Sequence, residues 1–441
     1  MKYYIKTFGC QMNVYDSQRI ANILQNMGHT PTSDIRDADL VIFNTCHIRE
    51  KAAEKLFSDL GRINLIKEER KEQGKETIIG VVGCVVQAED EQIAKRAPYV
   101  NFATGPLTYY RIPEILQKIA NQKDMCIIDT EFTAESKFDH LPQNHSEGGC
   151  SYLAIQEGCN NFCTYCIVPY TRGVETSRPV EEVVKEAKQL VATGTLEINL
   201  LGQNVNSYHG EDAAGKERNL AYLLRRLAEI DGLERLRYTT SYPADVNDDL
   251  IACHRDLKKL MPYLHLPLQS GSDKILKAMN RRHTSGQYLE IIDKLRQANP
   301  DLGFSSDFIV GFPGETDEDF QATMDMVDKV DYIQAFSFKY SRRAGTPAAV
   351  YPNQVPEKIK SERLIALQDK LFALQLNFNR GCIGKTMPVL FESKGKKKGQ
   401  LFGRTPYMQN LHAELSDQYL NKIVSVKVTD ANTNSLSGEV I

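Results

Sequence analysis

The chain has 441 residues, a formal net charge of −3, 41% hydrophobic and 25% charged residues, which is room for two or three domains with cores of their own. That balance excludes a low-complexity chain and a uniformly basic nucleic-acid binder, and the most apolar run, Ile78 to Val86, is far too short to cross a bilayer. The opening residues Met1 to Phe8 carry no signal-peptide core, so the ten cysteines point to a reducing, cytoplasmic setting without membrane contact and to metal rather than disulfides.

Three short β-rich runs open the chain: Tyr3 to Phe8, Ala38 to Phe43 and Thr77 to Val82. Each ends at a cysteine, Cys10, Cys46 and Cys84 in turn, and helical patterns over Ser17 to Met27 and Glu50 to about Glu72 separate them. Alternation of this kind predicts a parallel βαβ sheet, with every cysteine just past the carboxyl end of its strand. Loops at that edge converge where open α/β sheets hold ligands, so three thiols distant in sequence arrive at one place. Any one of them could serve as a small core residue. Core packing does not predict matched positions in successive βα units, and the repeat favours a ligand set for an iron–sulfur cluster. Cys126, Cys150, Cys253 and Cys382 follow no such pattern and read as structural.

The next run, Glu157-Gly-Cys-Asn-Asn-Phe-Cys-Thr-Tyr-Cys-Ile-Val-Pro169, places Cys159, Cys163 and Cys166 at C-x3-C-x2-C spacing. Three thiolates so close can hold three irons of a 4Fe-4S cluster and leave the fourth open to a substrate or cofactor. A structural zinc site would want four closed ligands, and this run supplies no fourth Cys or His.

This motif, with Tyr165 as the aromatic before the last cysteine, resembles the radical S-adenosylmethionine superfamily. The resemblance implies a cluster whose open iron chelates S-adenosylmethionine and, once reduced, generates a radical that removes an unactivated hydrogen. A narrower resemblance lies in Phe8-Gly-Cys-Gln-Met-Asn13 with Asp16-Ser17 and in Asn44-Thr-Cys-His-Ile-Arg-Glu-Lys51. These segments look like the methylthiotransferases, and within them like the MiaB-type enzymes that modify tRNA. His47 and Val85-Val86-Gln87 depart from that pattern without touching a ligand position.

From Ser151 the pattern alternates strand and helix: Tyr152 to Gln156, Glu197 to Leu201, Leu236 to Thr240, Tyr263 to Leu268, Phe304 to Val310 and Tyr332 to Phe338. Six βα units suggest the open, partial (β/α)6 barrel that the superfamily implies, with its site at the carboxyl rim. Rim loops rich in Gly, Ser, Asn and Pro are ordinary turn chemistry singly, and together suggest a cofactor pocket. Tyr165, Gln203, Asn204, Ser241, Gln269 and Arg343 are the expected S-adenosylmethionine contacts. Arg172, Glu175 and Arg178, after the cluster loop, are candidates to meet cofactor or substrate.

After a helix over Lys358 to Asn377 the pattern turns to short strands, Met387 to Glu392, Gln400 to Gly403, His412 to Leu415 and Ile423 to Val428, an OB-like all-β barrel. Nine Lys or Arg stand against five Asp or Glu from Arg380 onward. The loop of Lys394, Lys396, Lys397 and Lys398, with Arg404, is a phosphate-contacting hairpin or a solvated turn. The segment resembles the TRAM domain, which implies RNA binding.

The expected organisation is therefore α/β: a methylthiotransferase domain over 1–120, a radical S-adenosylmethionine core over 145–376 and a TRAM domain over 378–441. The resemblance implies two 4Fe-4S clusters and two S-adenosylmethionines per turnover, one for the radical and one as methyl donor. It also implies methylthiolation at carbon 2 of isopentenylated adenosine beside the tRNA anticodon. An electron donor such as flavodoxin or ferredoxin and a sulfur donor would be partners. Open alternatives are a threonylcarbamoyl-adenosine or ribosomal-protein target, and a non-catalytic iron–sulfur RNA-binding protein.

Overall fold

The computed structural model describes residues 1–46, 50–122, 126–133, 136–145 and 148–441; His47, the departure named above, lies outside them. The chain divides into two compact units. One comprises Met1–His145, Glu157–Asn160 and Ile167–Thr176, the other Ser146–Gln156, Asn161–Cys166 and Ser177–Ile441.

In the first unit the elements run β1 (Lys2–Thr7), α1 (Gln11–Asn26), β2 (Thr30–Pro31), β3 (Leu40–Thr45), α2 (Glu50–Glu72), β4 (Ile78–Gly83), α3 (Cys84–Arg96), β5 (Phe102–Thr104), α4 (Ile112–Asn121) and β6 (Ile127–Asp129). The sheet is parallel throughout, in the order β2-β1-β3-β4-β5-β6. Apolar side chains cover both faces, Val41, Phe43, Ile79 and Val81 on one and Leu40, Ile42 and Val82 on the other, which is why β3 reads as an unbroken buried run. Three strands are expected from the sequence and six form; β5 and β6, at three residues each, are too short to show a strand pattern. The first helix starts six residues before the expected Ser17. Its opening turn buries Asn13 and Asp16 beside Met12 and Tyr15, so the apolar period that marks a helix is missing there. A short helix, α5 (Val168–Arg172), also belongs to this unit.

The second unit contains β7 (Cys150–Ala154), one residue each of the two-residue strands β8 (Gln156–Glu157) and β9 (Thr176–Ser177), α6 (Val180–Ala192), β10 (Glu197–Leu201), a hairpin of β11 (His209–Glu211) and β12 (Glu217–Asn219), α7 (Leu220–Ala228), β13 (Arg235–Tyr238), α8 (Asp248–Asp256), β14 (Tyr263–His265), α9 (Asp273–Ala278), α10 (Ser285–Ala298), β15 (Gly303–Val310), α11 (Asp317–Val330), β16 (Gln334–Lys339) and α12 (Glu357–Arg380). The six expected barrel strands form two parallel sheets, β13-β10-β7 and β14-β15-β16, joined at a single bridge between Leu236 and Leu260. The fourth strand is half its expected length, because Pro267 has no N–H to continue the ladder. Alternate residues pack outward on the helices: Leu153, Ile198, Leu200, Leu236, Leu264, Phe304, Phe308 and Val310 share one core with Leu224, Tyr288, Ile292, Val327 and Leu367. The residues between them face the barrel interior.

The C-terminal strands β17 (Thr386–Lys394), β18 (Gln400–Arg404), β19 (Asn410–Glu414), β20 (Ile423–Ala431) and β21 (Leu436–Val440) close into a barrel in the order β17-β18-β19-β21-β20. The fifth strand is the one the sequence reading misses, its polar Leu-Ser-Gly-Glu-Val pattern being mostly exposed. Arg235 and Arg237 tie the small barrel to the large one. They donate to the carbonyls of Pro388, Arg404, Thr405 and Pro406, and Glu197 between them carries the compensating charge. All three are almost fully buried, so each needs the others.

Candidate functional site

Strands β1, β3 and β4 are neighbours, and the register pairs Thr7 with Asn44 and Thr45 with Gly83. Their three following cysteines therefore emerge side by side: Cys10 at the N-cap of α1, Cys46 after β3, Cys84 opening α3. Glycine precedes two of them for a physical reason. A Cβ on Gly9 would stand 2.1 Å from the Cys46 Cβ, and one on Gly83 2.4 Å from the Thr45 carbonyl, at φ values of +108° and +105°. Asn13 and Asn44 lock the loops: Asn13 Nδ2 donates to the Phe8 carbonyl and Asn44 Nδ2 to the Asn13 carbonyl. A hydrogen bond with Cys46 and the charge of Arg172 hold the Cys10 thiol at about 6, against its burial. Burial pushes the Cys84 thiol up, with Arg172 acting against it.

Arg172 is the functional candidate that the structure brings to this triad. Its guanidinium donates to Glu157 Oε1 and, through Nη2, to Asp16 Oδ2 at 2.9 Å and Asn13 Oδ1 at 3.3 Å. Lys137 completes the set, 3.0 Å from Asp16 Oδ1 and 2.8 Å from Glu157 Oε2. Two cations and two carboxylates, none more than 6% exposed by side chain, form a closed neutral ring beside the cysteines. Lys137 carries no motif and escapes sequence reasoning. Asp16 and Glu157 could be found only as neighbours of cysteines.

Among the described residues no three Cys, His, Asp or Glu side chains converge on a point that fits one metal ion. A cluster spreads its thiolates over three separate irons, so they need not converge on one point to hold it. Three thiols, one of them with its thiolate already favoured, and an adjacent fixed cation suit an anionic iron–sulfur group.

In the second unit, the motif loop is pinned by backbone. Thr164 N–H donates to the Met279 carbonyl, its hydroxyl donates to the Ala278 carbonyl, and Cys166 N–H donates to the Cys163 carbonyl at 2.9 Å. Arg281 lies 3.8 Å from Cys163 Sγ and stacks over Tyr242 at 4.2 Å. This cation is a second residue that the sequence reading misses, since it follows the short helix α9 and no strand end marks it. Tyr165 packs on the cluster of Ile275, Met279, Phe312 and Tyr340. In the first unit, Cys159 N–H donates to the Gly173 carbonyl.

The barrel rim holds two non-glycine residues in left-handed backbone, Thr240 at φ +76° and Gln269 at φ +78°. For a β-branched residue this is a strained conformation of the kind held at ligand sites. Beside Thr240, the buried Ser241 hydroxyl has no hydrogen-bond partner among the described residues, and neither has Asn204 Oδ1. Buried polar atoms left open beside the rim loops fit a polar ligand such as S-adenosylmethionine. The Asn204 amide nitrogen is committed to Asp245 at 2.7 Å, and Gln203, half-buried, precedes it. Arg343 is half-buried in the loop after β16, where its carbonyl caps Thr346. Arg178 instead braces the fold, bonded to the Ala154 carbonyl and paired with Glu186 at 2.8 Å. Glu175 sits on the loop, its N–H bonded to Asn160 Oδ1.

On the small barrel, Lys396, Lys397 and Lys398 are exposed at the β17–β18 turn, while Lys394 pairs with Asp417 at 2.6 Å. Arg404 lies 3.8 Å from Glu392 and donates to the Met408 carbonyl. Of the four unassigned cysteines, Cys253 and Cys382 are buried, Cys150 is half-buried and Cys126 is exposed. No helix among the described residues is long and apolar enough to cross a membrane.

Three protein families match this chain: the Radical SAM superfamily over residues 153–327, Uncharacterized protein family UPF0004 over 2–105 and the TRAM domain over 380–441. A tRNA-2-methylthio-N(6)-dimethylallyladenosine synthase of Rickettsia canadensis (strain McKiel) is 54% identical over 442 residues, covering 100% of this chain and 99% of its own. One so named from Agrobacterium fabrum (strain C58 / ATCC 33970) is 54% identical over 444 residues, covering 100% and 97%. Among solved structures, the radical S-adenosylmethionine methyltransferase TsrM from Kitasatospora setae is similar with a TM-score of 0.57 at 13% identity, over 79% of this chain and 75% of that one. The cobalamin-dependent radical enzyme OxsB gives 0.55 at 12%, over 84% and 56%. Those two likenesses speak to fold alone; the full-length identities go further, and the chain belongs to the tRNA-2-methylthio-N(6)-dimethylallyladenosine synthase family of radical S-adenosylmethionine enzymes.

Proposed function

We propose that this chain is a tRNA methylthiotransferase that installs a methylthio group at carbon 2 of N(6)-isopentenyladenosine next to the anticodon. The observation that carries the reading is the pairing of two cysteine triads of different construction on one chain with an RNA-binding fold. Cys159, Cys163 and Cys166 form one triad and Cys10, Cys46 and Cys84 the other. Family membership brings a 4Fe-4S cluster and S-adenosylmethionine, which we assign to the first triad and the barrel rim. A second 4Fe-4S cluster on the N-terminal triad is our inference. When bound, these groups supply one-electron removal of a ring hydrogen and a sulfur for the product.

The chain's own residues orient and exclude. Arg281 offers a fixed cation beside Cys163, and the Ser241 hydroxyl and Asn204 Oδ1 offer open polar atoms at the rim. Arg172 and the ring of Lys137, Asp16 and Glu157 hold the N-terminal cysteines in a dry, charge-balanced surround. Lys396, Lys397 and Lys398 reach phosphate, the small barrel serving as an RNA handle. We infer functional divisions at 1–120, 145–376 and 378–441, a low-potential electron donor such as flavodoxin or ferredoxin, a sulfur donor and a cytoplasmic reaction.

Mass spectrometry of bulk tRNA from a deletion strain tests the reading. Loss of 2-methylthio-N(6)-isopentenyladenosine with accumulation of the unmethylthiolated nucleoside is expected. An unchanged level of the methylthiolated nucleoside contradicts it. Release of 5′-deoxyadenosine by the reduced, cluster-loaded protein separates an enzyme from an iron–sulfur RNA binder.

A further inference from the structure

The inner face of the last barrel strand carries two aromatic rings that the described residues leave uncovered. On β15, Phe304, Phe308 and Val310 point outward into the helical core, so Ser305, Asp307 and Ile309 point inward. The parallel register pairs Asp307 with Phe336 and Ile309 with Phe338 and so turns both rings inward. Lys339, on the other face of β16, confirms this alternation by reaching Glu357 and Ser361 on α12. Yet Phe336 is 44% and Phe338 39% exposed, two residues apart on one face. Single exposed apolar residues need no account; a pair lining the interior of a catalytic barrel does. His265, also inward, meets Phe336 edge to face at 6.3 Å and closes one side.

Two features say what occupies this wall. The rings stand on the strand next to the one paired with Gln269, at the barrel end where the rim site lies. The product in the relatives' name carries a dimethylallyl group, a branched five-carbon hydrocarbon attached to the base. We propose that Phe336 and Phe338 form the subsite for that hydrocarbon, and so let the enzyme select adenosine that has already been prenylated. The inference rests on the methylthiotransferase reading and names the group by which the substrate is recognised.

The test is binding of two synthetic anticodon stem-loop RNAs to the cluster-loaded protein, one with N(6)-dimethylallyladenosine and one with adenosine, followed by fluorescence anisotropy. Wild type is expected to favour the prenylated RNA by about tenfold or more, the scale on which an apolar pocket discriminates hydrocarbon groups. The Phe336→Ala/Phe338→Ala double variant should bring the ratio of the two Kd values close to one. Phe336→Leu, which keeps hydrocarbon at the site and folds more conservatively, should restore most of it. Phe372→Ala, an exposed phenylalanine on α12, should leave the ratio as in wild type. An undiminished ratio in the double variant, or no preference in wild type, overturns the subsite. Failure of the underlying reading shows separately, as absence of methylthiolated product when wild type is given the prenylated RNA.

Discussion

The two cysteine triads are brought together by opposite constructions. Cys159, Cys163 and Cys166 lie within eight residues, and a local loop pinned by Thr164 carries two of them. Cys10, Cys46 and Cys84 are 36 and 38 residues apart and meet only because β1, β3 and β4 are adjacent and in register. The contiguous triad owes its proximity to sequence spacing. The dispersed triad depends on glycines at close approach, on interlocked asparagines and on a buried ring of four charges. A site made by topology is braced here by buried charge, and the site made by spacing by hydrogen bonds to one loop.

That difference has measurable consequences, the largest at the ring. Arg172→Gln leaves Asp16 and Glu157 with one cation between them in a nearly dry setting, which should cost about 3–5 kcal/mol in denaturant unfolding. Arg281→Gln, beside the contiguous triad, should cost clearly less, since no buried carboxylate ion-pairs with it among the described residues. Equal losses would erase the contrast between the two triads.

A second contrast is in acid. Burial holds the His254 imidazole at about 4, below its unfolded value near 6.5, against the Tyr238 hydroxyl at 2.6 Å. Between those two values the unfolded chain binds more protons than the folded one. This part of the stability is present above pH 6.5 and lost as pH falls toward 4, by about 3 kcal/mol in all. His254→Gln should flatten the pH dependence of urea midpoints in that window, and a slope identical to wild type would contradict the assignment.

The smallest expected effect on stability is at the hairpin. Replacing Lys396, Lys397 and Lys398 by alanine should leave the melting temperature within a degree or two, as these side chains are exposed. The same change should lower the slope of log binding constant against log salt by about 2 for RNA. An unchanged slope would return the hairpin to a solvated turn.

Much of this architecture is legible in the residues alone, for physical reasons that differ by region. The six barrel strands show because one face of each must pack on helices, which imposes alternating or unbroken apolar runs. The strand-end cysteines show because a βα repeat fixes their positions relative to the sheet edge. The start of α1 hides because its first turn buries Asn13 and Asp16 for the site rather than apolar residues for a core. Lys137 and Arg281 hide because a partner across space leaves no period and no spacing in sequence. Phe336 and Phe338 are readable as strand residues, but only the register turns them inward.

The second cluster proposed for the dispersed triad would rest on Cys10, Cys46 and Cys84 alone. Iron and sulfide counting on the Cys10→Ala/Cys46→Ala/Cys84→Ala protein, with 5′-deoxyadenosine release measured on the same sample, tests it most directly. A fall from about eight irons to about four is expected, with release retained and no sulfur transferred to RNA. An iron content equal to wild type, or methylthiolated product from the variant, would contradict it.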